Sequence, residues 1–155
     1  MLERITKPKK ELLERLLQLY LHNISLYFPI DFNSETALYD YDDTSKYFEN
    51  DNNKAFLIKN ENDIVGFMLI DFLEDKNVIQ EMFILNNYKG QGFGKKAVIE
   101  LLNTYKGTWE IKSLPCSKDA ETFWTKVITE YTNNNCNIEQ IGRYNRAVLT
   151  FNNKD

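Results

Sequence analysis

The segment NNYKGQGFGKKA, Asn86–Ala97, sets glycines at positions 90, 92 and 94 behind Lys89 and ahead of Lys95 and Lys96. Glycine has no Cβ and tolerates positive φ, so alternating glycines let backbone N–H groups converge on an anion. A helix opening in this loop adds its positive N-terminal end and unpaired N–H groups. Lys89 and Lys95 can meet phosphate oxygens as point charges. The chemistry on offer is phosphate binding, and the spacing decides whose phosphate.

Three designs compete. The nucleoside-triphosphate loop needs GxxxxGK followed by Ser or Thr. Here Gly90 to Gly94 is one residue short, and Lys96 stands where the hydroxyl should be. The dinucleotide loop needs GxGxxG in a parallel βαβ unit, whereas this loop reads GxGxG after runs that look antiparallel. The acyl-coenzyme A loop, R/Q-x-x-G-x-G/A, fits Lys89-Gly90-Gln91-Gly92-Phe93-Gly94 with lysine in the first place.

The flanking elements place the loop. Pro8 suits a first helical turn, and Leu12, Leu13, Leu16, Leu17, Tyr20 and Leu21 keep helical spacing over residues 8–22. An aromatic, acidic stretch follows, with short helical turns expected around 34–39 and 43–50, the second capped by Asp43 or Thr44. AFLIKN, IVGFMLIDFL and VIQEMFIL then read as strands separated by short polar turns, an antiparallel meander. Phe93, Ala97, Val98, Leu101, Leu102 and Tyr105 share a helical face ending at Lys106-Gly107. TWEIKSL is a further strand, Pro115 breaks it, and Ser117 caps a helix burying Ala120, Phe123, Trp124, Val127 and Ile128. IEQIG and AVLTF form a closing hairpin around Arg143–Arg146. This is one α+β domain over residues 1–155, with a mostly antiparallel mixed sheet flanked by helices.

On the loop, the strand before it and the phrase LPCSKDAETFWTKVI, the sequence resembles the GNAT superfamily of N-acetyltransferases. Its last helix is similar to that of a bacterial branch of predicted acetyltransferases reading AxxFWxKVI. The resemblance implies a sheet splayed around a coenzyme A cleft, with acetyl-CoA as cosubstrate and an amine as acceptor. It implies that Met82, Phe83 and Ile84 pair with the pantetheine arm, an N–H near Ile84 polarising the thioester carbonyl. Lys89, Gly90, Gln91, Gly92, Phe93, Gly94 and Lys95 would hold the pyrophosphate, and Ser117 and Trp124 would stand near the reactive end. Relatives often pair between subunits through the C-terminal hairpin, so a homodimer is one expectation.

An amine acceptor is mostly protonated at neutral pH, since a free lysine titrates at about 10.4. Glu81, on the strand before the loop, is the candidate proton acceptor; the alternative is a carboxylate facing solvent or paired with a lysine. Many relatives carry a tyrosine four residues after the alanine of the last helix to protonate the leaving thiolate. Counting from Ala120 that position is Trp124, and the asparagine expected before the alanine is Ser117. An indole N–H donates a hydrogen bond but is no proton source at neutral pH. The competing reading is a non-catalytic acyl-CoA-binding module that keeps the loop and has lost the acid.

Composition narrows the rest. Lys+Arg 19 against Asp+Glu 23 gives a net charge of −4, without the overall basic field of a nucleic-acid binder. A single histidine, His22, excludes a multi-histidine metal site. No signal peptide opens the chain, and its longest apolar run, Ile64–Ile70, is too short to span a bilayer, so a cytoplasmic protein with reduced Cys116 and Cys136 is expected. The acids between Asp31 and Asp51, interleaved with tyrosines, are read either as an attractor for a cationic amine or as caps and solvated surface.

Overall fold

The computed structural model describes residues 1–143 and 146–154. A short strand β1 (Leu2–Arg4) leads through a 3-10 turn at Lys7–Lys9, where Pro8 sits, into helix α1 (Lys10–Ile24). Leu13, Leu16, Leu17, Tyr20, Leu21 and Ile24 form its buried stripe. Strands β2 (Phe32–Asn33) and β3 (Leu38–Tyr39) make a two-stranded hairpin, and α2 (Lys46–Glu49) is a single turn.

The meander follows as β4 (Asn53–Asn60), β5 (Asp63–Phe72) and β6 (Asn77–Ile84), paired antiparallel in sequence order. Helix α3 (Phe93–Thr104), strand β7 (Thr108–Lys112), helix α4 (Lys118–Tyr131), and strands β8 (Asn137–Ile141) and β9 (Arg146–Asn152) complete the chain. The main sheet runs β1-β4-β5-β6-β7-β9-β8, antiparallel except where β6 meets β7. Its central strand β5 is buried continuously from Val65 to Asp71, as a strand covered on both faces must be.

Two cores result, one on each face. On one, α1 packs Leu13, Leu17 and Tyr20 against Leu57, Phe67, Leu69 and Phe83. On the other, α3 and α4 pack Val98, Leu101, Trp124 and Ile128 against Ile58, Met68, Ile70 and Trp109. At Gly66 a Cβ would lie 2.0 Å from the Phe83 carbonyl oxygen, so only glycine lets β5 approach β6 this closely.

Two expectations change. Strand β1, too short and charged to stand out, pairs with β4 through Leu2–Arg4. The turn expected at 34–39 is the β2–β3 hairpin, closed by Asn33, whose side chain accepts from the N–H groups of Glu35 and Thr36. At the end of α1, His22 Nδ1 lies 2.9 Å from the Tyr39 hydroxyl, tying the helix to this hairpin. Of the closing turn, Tyr144 and Asn145 lie outside the described residues. Among the described residues no helix is long and apolar enough to cross a membrane.

Candidate active site

The site starts from a defect in strand pairing. Leu69 opposes Glu81 while the next residue, Ile70, opposes Ile79, so Gln80 is an extra residue bulged out of β6. Side chains alternate along a strand. Without the bulge Glu81 would share the face of Ile79, which belongs to the α3–α4 core. The bulge turns Glu81 to the face of Leu69 and Phe83, toward α1. Bulges concentrate beside functional sites because they re-aim a side chain in this way.

On that face Tyr20 of α1 donates its hydroxyl to Glu81 Oε2. Tyr41 donates to Oε1 over 3.4 Å. Burial pushes the Glu81 carboxyl above the usual carboxylate range, while the two hydroxyls and the charge of Arg146 pull it back. Burial, then the Glu81 charge, pushes the phenols of Tyr20 and Tyr41 upward, so both remain donors. The tyrosine rings are fixed independently of their hydroxyls: Tyr20 packs on Phe67 and Phe83 at 5.8 and 5.6 Å between ring centres.

Glu81 opens into a cleft of about 1180 Å³ that also reaches Met82, Phe83, Ile84 and the glycine loop. That exceeds the roughly 300–1,000 Å³ of ordinary small-ligand sites, room for a large ligand or for two. The cleft exists because β6 and β7 pair only over Asn77–Ile79 and Trp109–Ile111. Beyond Ile79 the β7-facing edge of β6 runs on alone past Gln80–Ile84.

At the other end of the cleft, Gly90 and Gly92 hold φ of 76° and 85°. Such angles strain any side chain, and a Cβ there would meet nothing within 4 Å, so the space above the loop is open. Gly92 caps α3, and the Lys96 N–H returns to its carbonyl at 3.1 Å. The N–H groups of the first helical turn have no intrahelical partners and point toward the loop. Gly94 answers to packing instead: a Cβ would lie 3.0 Å from Met82 Cε and 3.2 Å from the Phe123 ring. Phe93 and Gly94 both line the cleft.

The remaining candidates fall around this axis. Lys89 lines the cleft with its Nζ 5.8 Å from the centre of the Phe83 ring. Lys95 lines it too, but its Nζ is paired with Glu130. The Gln91 side chain turns back to the Asn87 carbonyl at 2.9 Å and does not face the cleft, so only its backbone is available to a ligand. Ser117 caps α4 by accepting from the Ala120 N–H at 3.2 Å and lies at the cleft wall. Trp124 lines the same wall, 7% exposed, its ring edge-on to Phe123.

Sequence reasoning missed Tyr20 and Tyr41 as partners of Glu81, and Arg146 as a cleft residue. The available signal was a tyrosine in a stripe otherwise made of leucine and isoleucine, because a buried phenol requires a polar partner. None of the acids from Asp31 to Asp51 lines the cleft, whereas Tyr27 and Phe28 do. Among the described residues no group of three His, Cys, Asp or Glu side chains could hold a metal ion.

Residues 12–126 match the model of the Acetyltransferase (GNAT) family. The structure is similar to an acetyltransferase from Thermus thermophilus, with TM-score 0.68 at 13% identity, covering 98% of this chain and 97% of that one. It is similar also to the PaiA N-acetyltransferase from Thermoplasma acidophilum in complex with coenzyme A, with TM-score 0.66 at 9% identity, covering 99% and 98%. An acetyltransferase of the same family from Bacteroides thetaiotaomicron gives TM-score 0.65 at 12% identity, covering 100% and 88%. At such identities the likeness is one of fold. No curated protein sequence matches this chain.

Proposed function

The chain belongs to the GNAT acetyltransferase family and is an N-acetyltransferase, and on that premise we propose that it takes its acetyl group from acetyl-CoA and passes it directly to a small-molecule or peptide amine with Glu81 as proton acceptor. The observation that carries this reading is Glu81, turned by the Gln80 bulge into the cleft and held there by two tyrosine hydroxyls. A carboxylate whose burial raises its pKa is a better base at neutral pH than an exposed one.

Acetyl-CoA supplies a thioester carbon to which the amine nitrogen bonds as the C–S bond breaks, giving the N-acetyl product and the coenzyme thiol, with one proton released from an ammonium acceptor. The open loop at Gly90 and Gly92, together with the α3 N-terminus and Lys89, fits the pyrophosphate. Lys95 would exchange Glu130 for phosphate, an inexpensive exchange because that ion pair is exposed. The unpaired edge of β6 at Met82, Phe83 and Ile84 fits the pantetheine arm, and an N–H near Ile84 fits the thioester oxygen. Glu81 accepts the first proton from the ammonium nitrogen. Ser117 and Trp124 flank the reactive end; the Trp124 indole can donate a hydrogen bond toward sulfur, and the thiolate leaves on its own acidity, with a thiol pKa of about 8.5.

The test compares thermal shifts with acetyl-CoA, CoA and ATP, followed by acetyl transfer to an amine panel by wild type and Glu81→Gln. Expected are shifts with both CoA compounds and none with ATP, and a loss of about 10²–10⁴-fold in kcat for the variant, the usual worth of a general base. Absence of a shift with either CoA compound would sink the reading, and an undiminished Glu81→Gln would remove Glu81 from it.

A further inference from the structure

The cleft does not end at Glu81. Beside it, over the paired stretch of β6 and β7, lies a side pocket of about 330 Å³. Ile79, Gln80, Lys112 and Arg146 line both spaces. The side pocket lies on the far side of Glu81 from the glycine loop, because it follows the strands toward Val78 and Lys76 while the loop follows Ile84.

Its charge is one-sided. Lys76, Lys112 and Arg146 face a single carboxylate, Glu110. Glu110 is already taken twice, by Lys76 at 2.9 Å and by Lys112 at 3.6 Å. Arg146 donates through Nε to the Ser113 carbonyl at 2.9 Å, which anchors the guanidinium by one edge. Among the described residues Arg146 makes no ion pair, although it is half-buried. Arg146 thus lines both spaces while held by one edge, and the planar fork of a guanidinium matches a carboxylate. The charge of Arg146 also reaches Glu81, lowering its pKa after the two tyrosine hydroxyls.

We propose that the acceptor is a small amine carrying its own carboxylate, an amino acid or a close analogue, whose carboxylate is bound by Arg146 with Lys112 beside it while its nitrogen faces Glu81. This rests on the acetyl-transfer reading above and names its substrate class. The side pocket takes the rest of the acceptor, and Gln80, whose side chain is tied to the buried Asp71 at 3.0 Å, forms a fixed wall common to the two spaces. The acids of the segment from Asp31 to Asp51 do not line this cleft, while Tyr41 of the same segment reaches Glu81.

The test is acetyl transfer to amino acids, each matched with its own carboxamide and with the corresponding aminophosphonate, by wild type, Arg146→Gln and Arg146→Lys. A charge-assisted contact made to the acid and absent for the amide should favour the acid in kcat/KM by about tenfold or more. That preference should collapse toward unity in Arg146→Gln and return in part in Arg146→Lys, with the change carried mainly by KM. Equal use of acid and amide by wild type, a preference for the phosphonate, transfer only to uncharged amines, or an acid preference that survives Arg146→Gln would overturn the assignment. Wild-type protein alone decides the first three, so a poorly folding variant does not protect the proposal. Failure of acetyl-CoA to bind would overturn the parent reading and this one with it, whereas acetyl-CoA binding with transfer indifferent to the carboxylate would overturn this one alone.

Discussion

Tyr20→Phe isolates the hydrogen bond that defines the proton acceptor. The ring keeps its contacts with Phe67 and Phe83, since both involve carbon faces and edges, so only the hydroxyl that serves Glu81 is lost. That hydroxyl favours the charged carboxylate, and without it the pKa of Glu81, already raised by burial, rises further. A hydrogen bond to a charged group is worth about 1.5–3 kcal/mol, and about 1.36 kcal/mol corresponds to one pKa unit, so the shift should be about 1–2 units. Tyr41, at 3.4 Å, stays behind as a weaker donor, and Tyr41→Phe should move the same limb less. The assay is coenzyme release, read as kcat/KM against pH. The acidic limb should move upward in Tyr20→Phe, while the alkaline limb, set by the acceptor amine, stays in place. An acidic limb that does not move, or moves down, would refute the assignment of that limb to Glu81.

Glu81→Gln should raise stability as it lowers activity. A carboxyl with a raised folded-state pKa binds protons more tightly when folded, so its contribution is full below the unfolded value and is lost as pH rises through the folded one. The melting-temperature gain of the variant should therefore be larger at pH 7 than at pH 4, and a variant less stable at both would contradict the burial argument. Gly66→Ala forces a Cβ to within 2.0 Å of a backbone oxygen across the β5–β6 ladder and should cost about 3 kcal/mol or more in urea unfolding. Gly92→Ala faces open space but must hold φ of 85°, so it should cost about 1–2 kcal/mol in stability and more than half of the thermal shift with CoA. A full CoA shift in that variant would mean the loop backbone does not approach the phosphates.

The legible parts of this chain are those whose pattern is local. Helical spacing from Leu12 to Leu21, the Ser117 cap and the glycine loop each carry their structural cause within a few residues; the cap and loop form where the pattern places them, and the helix expected over 8–22 runs from Lys10 to Ile24. That Trp124 stands four residues after Ala120 on one helix could also be counted from the sequence, while its role there rests on the resemblance. What escaped depends on pairing across the sheet. Nothing in VIQEMFIL marks Gln80 as a bulge, for there is no glycine or proline, and strict alternation would put Glu81 with Ile79 against α3 and α4. The bulge is set by where β5 and β6 fall into register, a property of two strands together. Arg146 escaped for a related reason: a basic residue beside a turn reads as surface until β9 is seen beside β7 and the open edge of β6.

The charges of the cleft would let a protein of net charge −4 hold the anionic coenzyme proposed above. Lys89, Lys95, Lys112, Lys126 and Arg146 line it against Glu81 and Asp119, so its field is opposite in sign to that of the whole chain. Glu81 therefore works under opposed influences, burial raising its pKa while the Tyr20 and Tyr41 hydroxyls and then the charge of Arg146 lower it. An acceptor carboxylate bound at Arg146 cancels that last influence and leaves the others. The base would then be strengthened only when a carboxylated acceptor is in place, and held more acidic when the acceptor site is empty. The acidic limb of kcat, which reports the bound complex, should accordingly lie above that of kcat/KM, which reports the free enzyme. Coincident limbs with an amino-acid acceptor would mean that Arg146 does not meet the carboxylate, and the same coincidence is expected for Arg146→Gln, where there is no charge to cancel.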